Sequence, residues 1–406
     1  MKKNMMISMK KIQYISLFVY IVSISAFQLE TGIDPWIVRG SFVLLVTSSL
    51  LRKNIKFNIQ IVWIIIFWFY YFLSLLWASN ASDTMLCLNS AIQVIAISIC
   101  LPNIIEDQND IKKILNYIII SLFITSVLIF VRTPFSYWGL IRIGDVTGLH
   151  VNIVGVRMAI GALLCLYFVG DSNISVKKKI LYLICIVIFV LIGFFTGSKK
   201  SIFIILLGII LYEFFVAKGI RKFSKLITYV GLAAVLWIFV MNNTYLYNVI
   251  GRRLESFIET FSGNSNADLS YIERNYFIEK AKELFRMHPI LGYGGDNFMS
   301  YMREIGYSHV AYSHNNYYEL LSTLGIIGFL IYYFMWFKVF FDLIKVFIKN
   351  NSKFILIFLI IISLILIMDY GNISYYSDFN TILLVLSCYL VIDFRKSEKN
   401  EIQKNS

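Results

Sequence analysis

Charge is scarce in this sequence. Asp, Glu, Lys and Arg make up 15% of its 406 residues, against 58% hydrophobic, a balance that excludes an ordinary soluble domain. Cysteine offers no framework either. Cys87, Cys100, Cys165, Cys185 and Cys388 all fall in apolar stretches, none where an outer disulfide forms, and without metal-ligand spacing. No Gly-x-x-x-x-Gly-Lys-Ser/Thr signature is present, which removes an ATP motor from this chain. There is no His-Glu-x-x-His pair and no Asp-x-Asp opening an outer loop, as many metal-dependent glycosyltransferases need. Repeats of roughly 20–50 residues are missing, and the two halves differ in loop pattern.

What fills the chain instead is apolar runs long enough to cross a hydrocarbon core, which takes about 20 residues. Twelve are expected, near 12–27, 36–51, 59–78, 85–105, 111–131, 151–170, 180–196, 201–217, 226–241, 317–341, 354–368 and 378–394. The pattern predicts an all-α integral membrane protein, a single polytopic domain over 1–406. The first apolar stretch lacks a small-x-small cleavage site and is read as a retained span. With the N-terminus inside, 23 of the 37 Lys and Arg fall on the inner side and 12 outside, as the positive-inside rule asks. Both termini are then cytoplasmic, in a bacterial cytoplasmic membrane. The +13 net charge is thus a topology signal facing anionic lipid, and no nucleic-acid partner is implied.

One long hydrophilic stretch interrupts the spans, from Asn242 to Asn315. It carries seven basic and eight acidic residues, lies outside by the same rule, and is not disordered. Residues 270–287 predict a helix: Ser270 and Glu273 form a capping box, and Ile272, Tyr276, Phe277, Ala281, Leu284 and Phe285 form an apolar stripe. A second amphipathic helix is expected over 245–261. Gly292, Gly294 and Gly295 predict a tight turn, and Gly325-x-x-Gly328 predicts close helix packing.

The four histidines, His150, His288, His309 and His314, all lie on the outer side or at its edge. Histidine is suited to proton transfer near neutral pH or to holding a phosphate, although polar loops also simply contain polar residues. His288 precedes Pro289 at a predicted helix end, where a cation helps the dipole. His314 re-enters the membrane beside Asn315, Asn316 and Glu319, a polar cluster that is costly near lipid without a purpose. Among cations, Lys199 and Lys200 sit in a short outer hairpin against the charge trend. Arg252, Arg253, Arg286 and Arg303 are further candidates. Arg274 falls in the first turn of its predicted helix, an unfavourable place for a cation, and Arg157 lies inside a span. These residues suit an amphiphilic, phosphate-bearing substrate.

The order Thr196-Gly-Ser-Lys199, then Arg274 and His288-Pro-Ile-Leu-Gly-Tyr-Gly in a long outer loop, then His314-Asn-Asn with Gly325-x-x-Gly328, resembles the O-antigen ligase and Wzy-type polysaccharide polymerase superfamily. The resemblance implies about twelve transmembrane helices with a partly helical extracytoplasmic loop over a cavity. It implies glycan transfer from an undecaprenyl diphosphate carrier, with lipid-linked donor and acceptor, surrounding membrane lipids, and flippase and chain-length regulator proteins as partners. No cofactor, nucleotide sugar or metal is implied. The family's outer histidine matches His314, its loop arginine Arg274, and its hairpin arginine Lys199. Lysine keeps that charge but loses the bidentate fork, so Lys200 is a second candidate there.

The expected catalytic residues are therefore His314, Arg274 and Glu319, with Lys199, Lys200, Arg157 and Arg274 on the diphosphate. His314 serves either as general base or as diphosphate ligand. Polymerisation of repeat units into a capsule or exopolysaccharide is favoured by an Ile/Lys/Asn-rich composition of the kind found in AT-rich bacteria. Ligase-type transfer to a lipid or protein is the first alternative. A lipid-linked oligosaccharide flippase is the second, disfavoured because most spans lack central charge.

Overall fold

Apolar helices account for most of the chain in the computed structural model, which describes residues 2–51, 57–252, 254–255, 269–307 and 311–405. The longer helices are α1 (Lys2–Ala26), α2 (Asp34–Leu51), α3 (Ile59–Leu73), α4 (Ala81–Leu86), α5 (Leu88–Ile104), α6 (Gln108–Arg132), α7 (Val151–Gly170), α8 (Val176–Phe195), α9 (Lys199–Val216) and α10 (Arg221–Asn242). They continue with α11 (Leu269–Met287), α12 (Phe298–Glu304), α13 (Asn316–Asn350), α14 (Lys353–Met368) and α15 (Asp378–Asn405).

Eight helical stretches among the described residues are long and apolar enough to span a membrane: Ile59–Leu76, Ala81–Ile104, Gln108–Arg132, Val151–Gly170, Val176–Phe195, Arg221–Asn242, Asn316–Asn350 and Lys353–Gly371. The chain is a multi-pass membrane protein. The spans expected near 12–27, 36–51, 201–217 and 378–394 are helical too, within α1, α2, α9 and α15, but they are not among the eight. Charge is one reason: α9 carries Lys199, Lys200 and Glu213, and α15 carries Asp378, Asp393 and Arg395. Twelve crossings therefore remain an expectation.

The helices gather into two compact units, one of residues 1–52, 107–266 and 347–364, the other of 53–106, 267–346 and 365–406. In the first, α7 packs against α6, α8 and α9, and α1 against α2 and α6. Small residues let α7 do this: Ala159, Gly161 and Ala162 are buried along it. Hydroxyls supply polar contacts between helices, as in Ser23–Ser41 at 2.7 Å and Ser25–Ser121 at 3.3 Å.

In the second unit, α5 packs against α3 and α15. The helix expected over 270–287 forms as α11. It begins at Leu269, so Ser270 lies inside it rather than capping it, and the side chain of Ser270 is outside the described residues. Its buried stripe is narrower than expected: Phe277, Ala281 and Leu284 join Phe298, Tyr301 and Met302 of α12 in one core, while Ile272 is half exposed. Of the second expected helix, the structure shows a short turn at Thr244–Leu246 and a π-turn at Tyr247–Gly251. Arg253 and residues 256–261 lie outside the described residues.

The main departure from the sequence reading is at Gly325. Gly325-x-x-Gly328 was expected to bring helices together, but Gly325 has φ 63° and ψ −171° and breaks α13. An intact helix would bond the Ile326 and Ile327 amides to the Ser322 and Thr323 carbonyls. Instead those amides donate to Pro289 and Ile290 carbonyls, at 2.9 and 3.4 Å, and the freed carbonyls accept from Tyr293 and Gly294 amides, at 3.0 and 2.8 Å. The 289–294 turn thus threads into the break and satisfies both halves of the helix. Contact is so close that a Cβ on Gly325 would stand 2.2 Å from the Ile290 carbonyl oxygen, and one on Gly292 2.3 Å from the Thr323 carbonyl.

Gly325→Ala should therefore cost more than backbone strain alone, roughly 2–4 kcal/mol. The control is Gly306→Ala, where φ is also positive (80°) but the added methyl meets nothing within 4 Å; it should cost about 1–2 kcal/mol. Melting of the two variants in detergent checks the ranking, and equal losses would refute the interlock as the tighter constraint.

Candidate functional site

The second unit collects the site-like chemistry. The turn after Gly292 is clamped from several sides. Gly295 donates its amide to Ser74 Oγ at 2.8 Å and accepts from Thr84 Oγ1 at 2.7 Å, and Asn297 Nδ2 reaches Thr84 Oγ1 at 2.8 Å. Asn297 Oδ1 accepts from the Asn80 amide at 2.6 Å. These bonds hold Asp296, itself at φ 58°, where its carboxylate accepts from Tyr375 Oη at 3.4 Å and lies 3.6 Å from Cys87 Sγ. Burial pushes the Asp296 carboxyl above its ordinary value, and the nearby Asp83 carboxylate adds to the effect.

The loop leading into α13 brings in the next groups. Asn315 caps the helix, its Oδ1 accepting from Tyr317 and Tyr318 amides at 3.0 and 3.1 Å. Glu319, 1% exposed, accepts from the Ser313 amide at 3.0 Å. Asn316 crosses to the last loop: its Oδ1 accepts from the Ser374 amide at 2.9 Å, and its Nδ2 donates to Tyr333 Oη at 2.8 Å and Asp369 Oδ2 at 3.4 Å. Tyr333 Oη and Ser374 Oγ also donate to buried Asp369, at 2.9 and 2.6 Å. His314 is held at φ 58°, with its ring centroid 4.3 Å from Tyr312 and 6.1 Å from Phe277 of α11.

Tyr312 ties this cluster together. Burial raises its phenol above the ordinary value, the Arg274 charge opposes that, and the Glu319 charge adds to it. Tyr376 is likewise raised, first by burial and then by Tyr312, Cys87, Asp296 and Glu319; Tyr375 is raised by burial and by Asp296. The structure therefore brings Arg274, His314 and Glu319 together, with Asp296 and three protonated phenols around them. Phenolic O–H groups and aromatic faces suit a substrate with hydroxyl rims and C–H faces.

Asp296, Tyr312, Tyr375 and Tyr376 were missed in the sequence. Their signals were a Tyr-Tyr doublet at 375–376 and an acid ending a glycine turn, each unremarkable alone, and Tyr312 carried none. One argument for Arg274 also changes. It is the sixth residue of α11, past the first turn, so an unfavourable helix dipole no longer marks it.

The other expected residues lie in the first unit. Ser198 caps α9, accepting from the Ser201 amide, so Lys199 and Lys200 occupy the first two helical positions, half-buried. The preceding Thr196 carbonyl accepts from Arg142 Nε at 2.7 Å, and Arg142 Nη2 also donates to Asn152 Oδ1. Arg142 is a cation of this hairpin that sequence order did not reveal. Arg157 is buried, with Nη1 donating to the Ile24 carbonyl at 2.6 Å, near the end of α1, where carbonyls lack helical partners. That bond ties α7 to α1.

The remaining histidines have structural places. His150 caps α7, Nδ1 accepting from the Asn152 amide at 3.2 Å. Exposed His288 ends α11 with its ring 5.2 Å from Tyr293, and His309 lies outside the described residues. Arg303 pairs with Asp83 at 2.7 Å, a tie between α12 and α4. Arg252 and Arg286 are exposed.

Residues 183–333 match the family model described as O-antigen ligase. The match supports a place for this region in the O-antigen ligase and Wzy superfamily. The O-antigen ligase match takes in Lys199, Lys200, Arg274, His314 and Glu319 and stops short of Arg157. Members of the O-antigen ligase family are glycan-transferring enzymes that act on lipid-linked glycans in membranes, and the match supports an enzymatic role in polysaccharide biosynthesis in that general sense. No curated protein matches the chain.

The raised Asp296 carboxyl has a consequence for stability. The folded chain holds this proton more tightly than the unfolded one, so its contribution is favourable below the ordinary value of 3.8 and is lost as pH rises through the raised value. Asp296→Asn keeps an acceptor for Tyr375 and tolerates the left-handed backbone. It should raise Tm by about 1–3 °C at pH 7.5 and by nothing at pH 4 or below. A pH series of melts in detergent checks this, and an equal gain at both pH values would refute the assignment.

Proposed function

We propose that this protein is a polysaccharide polymerase. It joins oligosaccharide repeat units carried on undecaprenyl diphosphate into a capsule or exopolysaccharide, at the outer face of the bacterial cytoplasmic membrane, with both termini cytoplasmic. The observation that carries this reading is the grouping around Tyr312. A histidine ring packs 4.3 Å from it, and an arginine and a buried glutamate both act on it electrostatically, within the region matched by the O-antigen ligase family.

In this reading the acceptor sugar hydroxyl attacks the anomeric carbon of the donor glycan. Its oxygen bonds to that carbon, the bond to the diphosphate oxygen breaks, and the electron pair leaves with the diphosphate. The hydroxyl proton passes to His314, with Glu319 the second candidate base. Arg274 offsets charge as the diphosphate departs. The tyrosines hold the sugars, which supplies proximity. Energy comes from the diphosphate itself.

Lys199 and Lys200 are proposed as diphosphate ligands on separate grounds. A helix N-terminus repels cations, and two lysines in that position suit a bound anion. Arg157 has a weaker claim, since one of its nitrogens is used on Ile24. Ligation is kept as a second reading because the matching family is described by that activity. Flippase and chain-length regulator proteins are its expected neighbours in the pathway.

Deleting the gene and sizing the surface glycan separates the readings. Loss of long chains with single lipid-linked repeats retained is the expected result. Full-length chains stranded on the carrier would assign a ligase, and repeats trapped on the inner face a flippase. Complementation with His314→Ala or Arg274→Ala should leave the protein inserted and lower chain extension at least about 100-fold. Arg274→Lys should restore part of it. Undiminished chain length with either alanine variant would overturn the residue assignment.

A further inference from the structure

A second site-like feature lies wholly in the first unit. A cavity of about 420 Å³ opens where the end of α9 and the start of α10 meet the end of α13 and the start of α14. Among the described residues its lining includes Lys218, Lys222, Lys353 and Asn351 and no carboxylate. Nearby Glu213 is already paired with Lys225. One wall is aromatic: Phe215 and Phe347 meet edge to face at 6.1 Å, and the Lys222 ammonium stands 5.4 Å over the neighbouring Phe214 ring. Three like charges around one concavity repel one another unless an anion joins them. The loops involved, 217–220 and 351–352, are ones that the lysine distribution places on the inner face.

We propose that this cavity binds a phosphate-bearing anion, with the ammonium groups and Asn351 on the phosphate and the phenylalanines against its apolar part. A basic pocket between helices near the inner membrane surface has the chemistry to hold an anionic lipid headgroup. A soluble phosphate offers the same anion without the apolar part. The cavity is separate from the residues assigned to glycan transfer, so neither reading depends on the other.

Native mass spectrometry of the full-length protein in detergent tests this, with added phosphatidylglycerol against phosphatidylcholine. The variants are Lys218→Gln/Lys222→Gln/Lys353→Gln and, as a control of equal charge loss, Lys177→Gln/Lys178→Gln/Lys179→Gln. The wild type should prefer phosphatidylglycerol. The cavity variant should bind it at least about tenfold more weakly, at roughly fivefold or less per lysine, and the control should not. Inorganic phosphate is the second probe. Displacement of phosphatidylglycerol by millimolar phosphate, with the same lysine dependence, would assign a soluble phosphate; failure to displace it would assign the lipid. Unchanged phosphatidylglycerol binding in the cavity variant, or an equal loss in the control, overturns the proposal. If the triple variant melts early without lipid, Lys353→Gln alone, at an exposed position, reads the same affinity and should show a severalfold loss.

Discussion

The exchange of backbone hydrogen bonds at Gly325 is the constraint on which the second unit depends. Each bond is worth only about 0.5–1.5 kcal/mol net, but an unsatisfied peptide group away from water costs several kcal/mol. The penalty, more than the gain, locks the arrangement. Two amides and two carbonyls of a broken membrane helix have to find partners, and the 289–294 turn provides all four. Tyr70 reinforces the break by donating its hydroxyl to the Leu324 carbonyl at 3.2 Å. Irregular backbone in a span is tolerated only where protein or a polar cavity satisfies it, so the turn and the break require each other.

That requirement positions the chemistry. The turn that enters the break ends in Asp296, and the half-helix before the break begins with Asn316 and carries Glu319. Fixing one against the other fixes the acids, and α11, whose last turn leads into His288-Pro289, places Arg274 beside Tyr312. The Asn316 amide group extends the same frame to the last loop through Ser374, Tyr333 and Asp369. A carboxylate buried like Asp369 is expensive unless its oxygens are filled, and here neutral donors fill them. Removing Asn316 would leave Tyr333 and Ser374 on that carboxylate but would free the Ser374 and Tyr375 amides that Asn316 Oδ1 accepts from, which makes this residue a brace for Tyr375 and Tyr376.

Local pattern made part of this visible in the sequence. A 3.6-residue stripe marked α11, and polar crowding in front of an apolar run marked His314 and Glu319. Gly328 does lie close to Tyr70 of α3, where an added Cβ would stand 3.0 Å from the ring, but Gly325 was misread because spacing reports helix faces and carries no trace of a partner segment of backbone some thirty residues earlier. The tyrosines escaped for a related reason. A phenol becomes informative only when burial and neighbouring charge are known, and both come from tertiary contacts. Arg157 shows the converse: an intramembrane cation that looked like a ligand residue spends a nitrogen on the end of another helix.

The two kinds of charge also differ in how they are held. In the first unit, arginines are directed at backbone carbonyls, Arg142 at Thr196 and Arg157 at Ile24, which costs them little of their charge. Such residues set a positive field while bracing loops. In the second unit, Asp296, Tyr312, Tyr375 and Tyr376 are desolvated, and neighbouring charge alters their proton affinity. A group that must gain and lose a proton during transfer belongs in the second kind of environment, and one that must stay charged against a departing anion belongs in the first. On that argument the base should be sought among His314 and Glu319, while Arg274, half-exposed near the phenols, is placed to meet the departing anion.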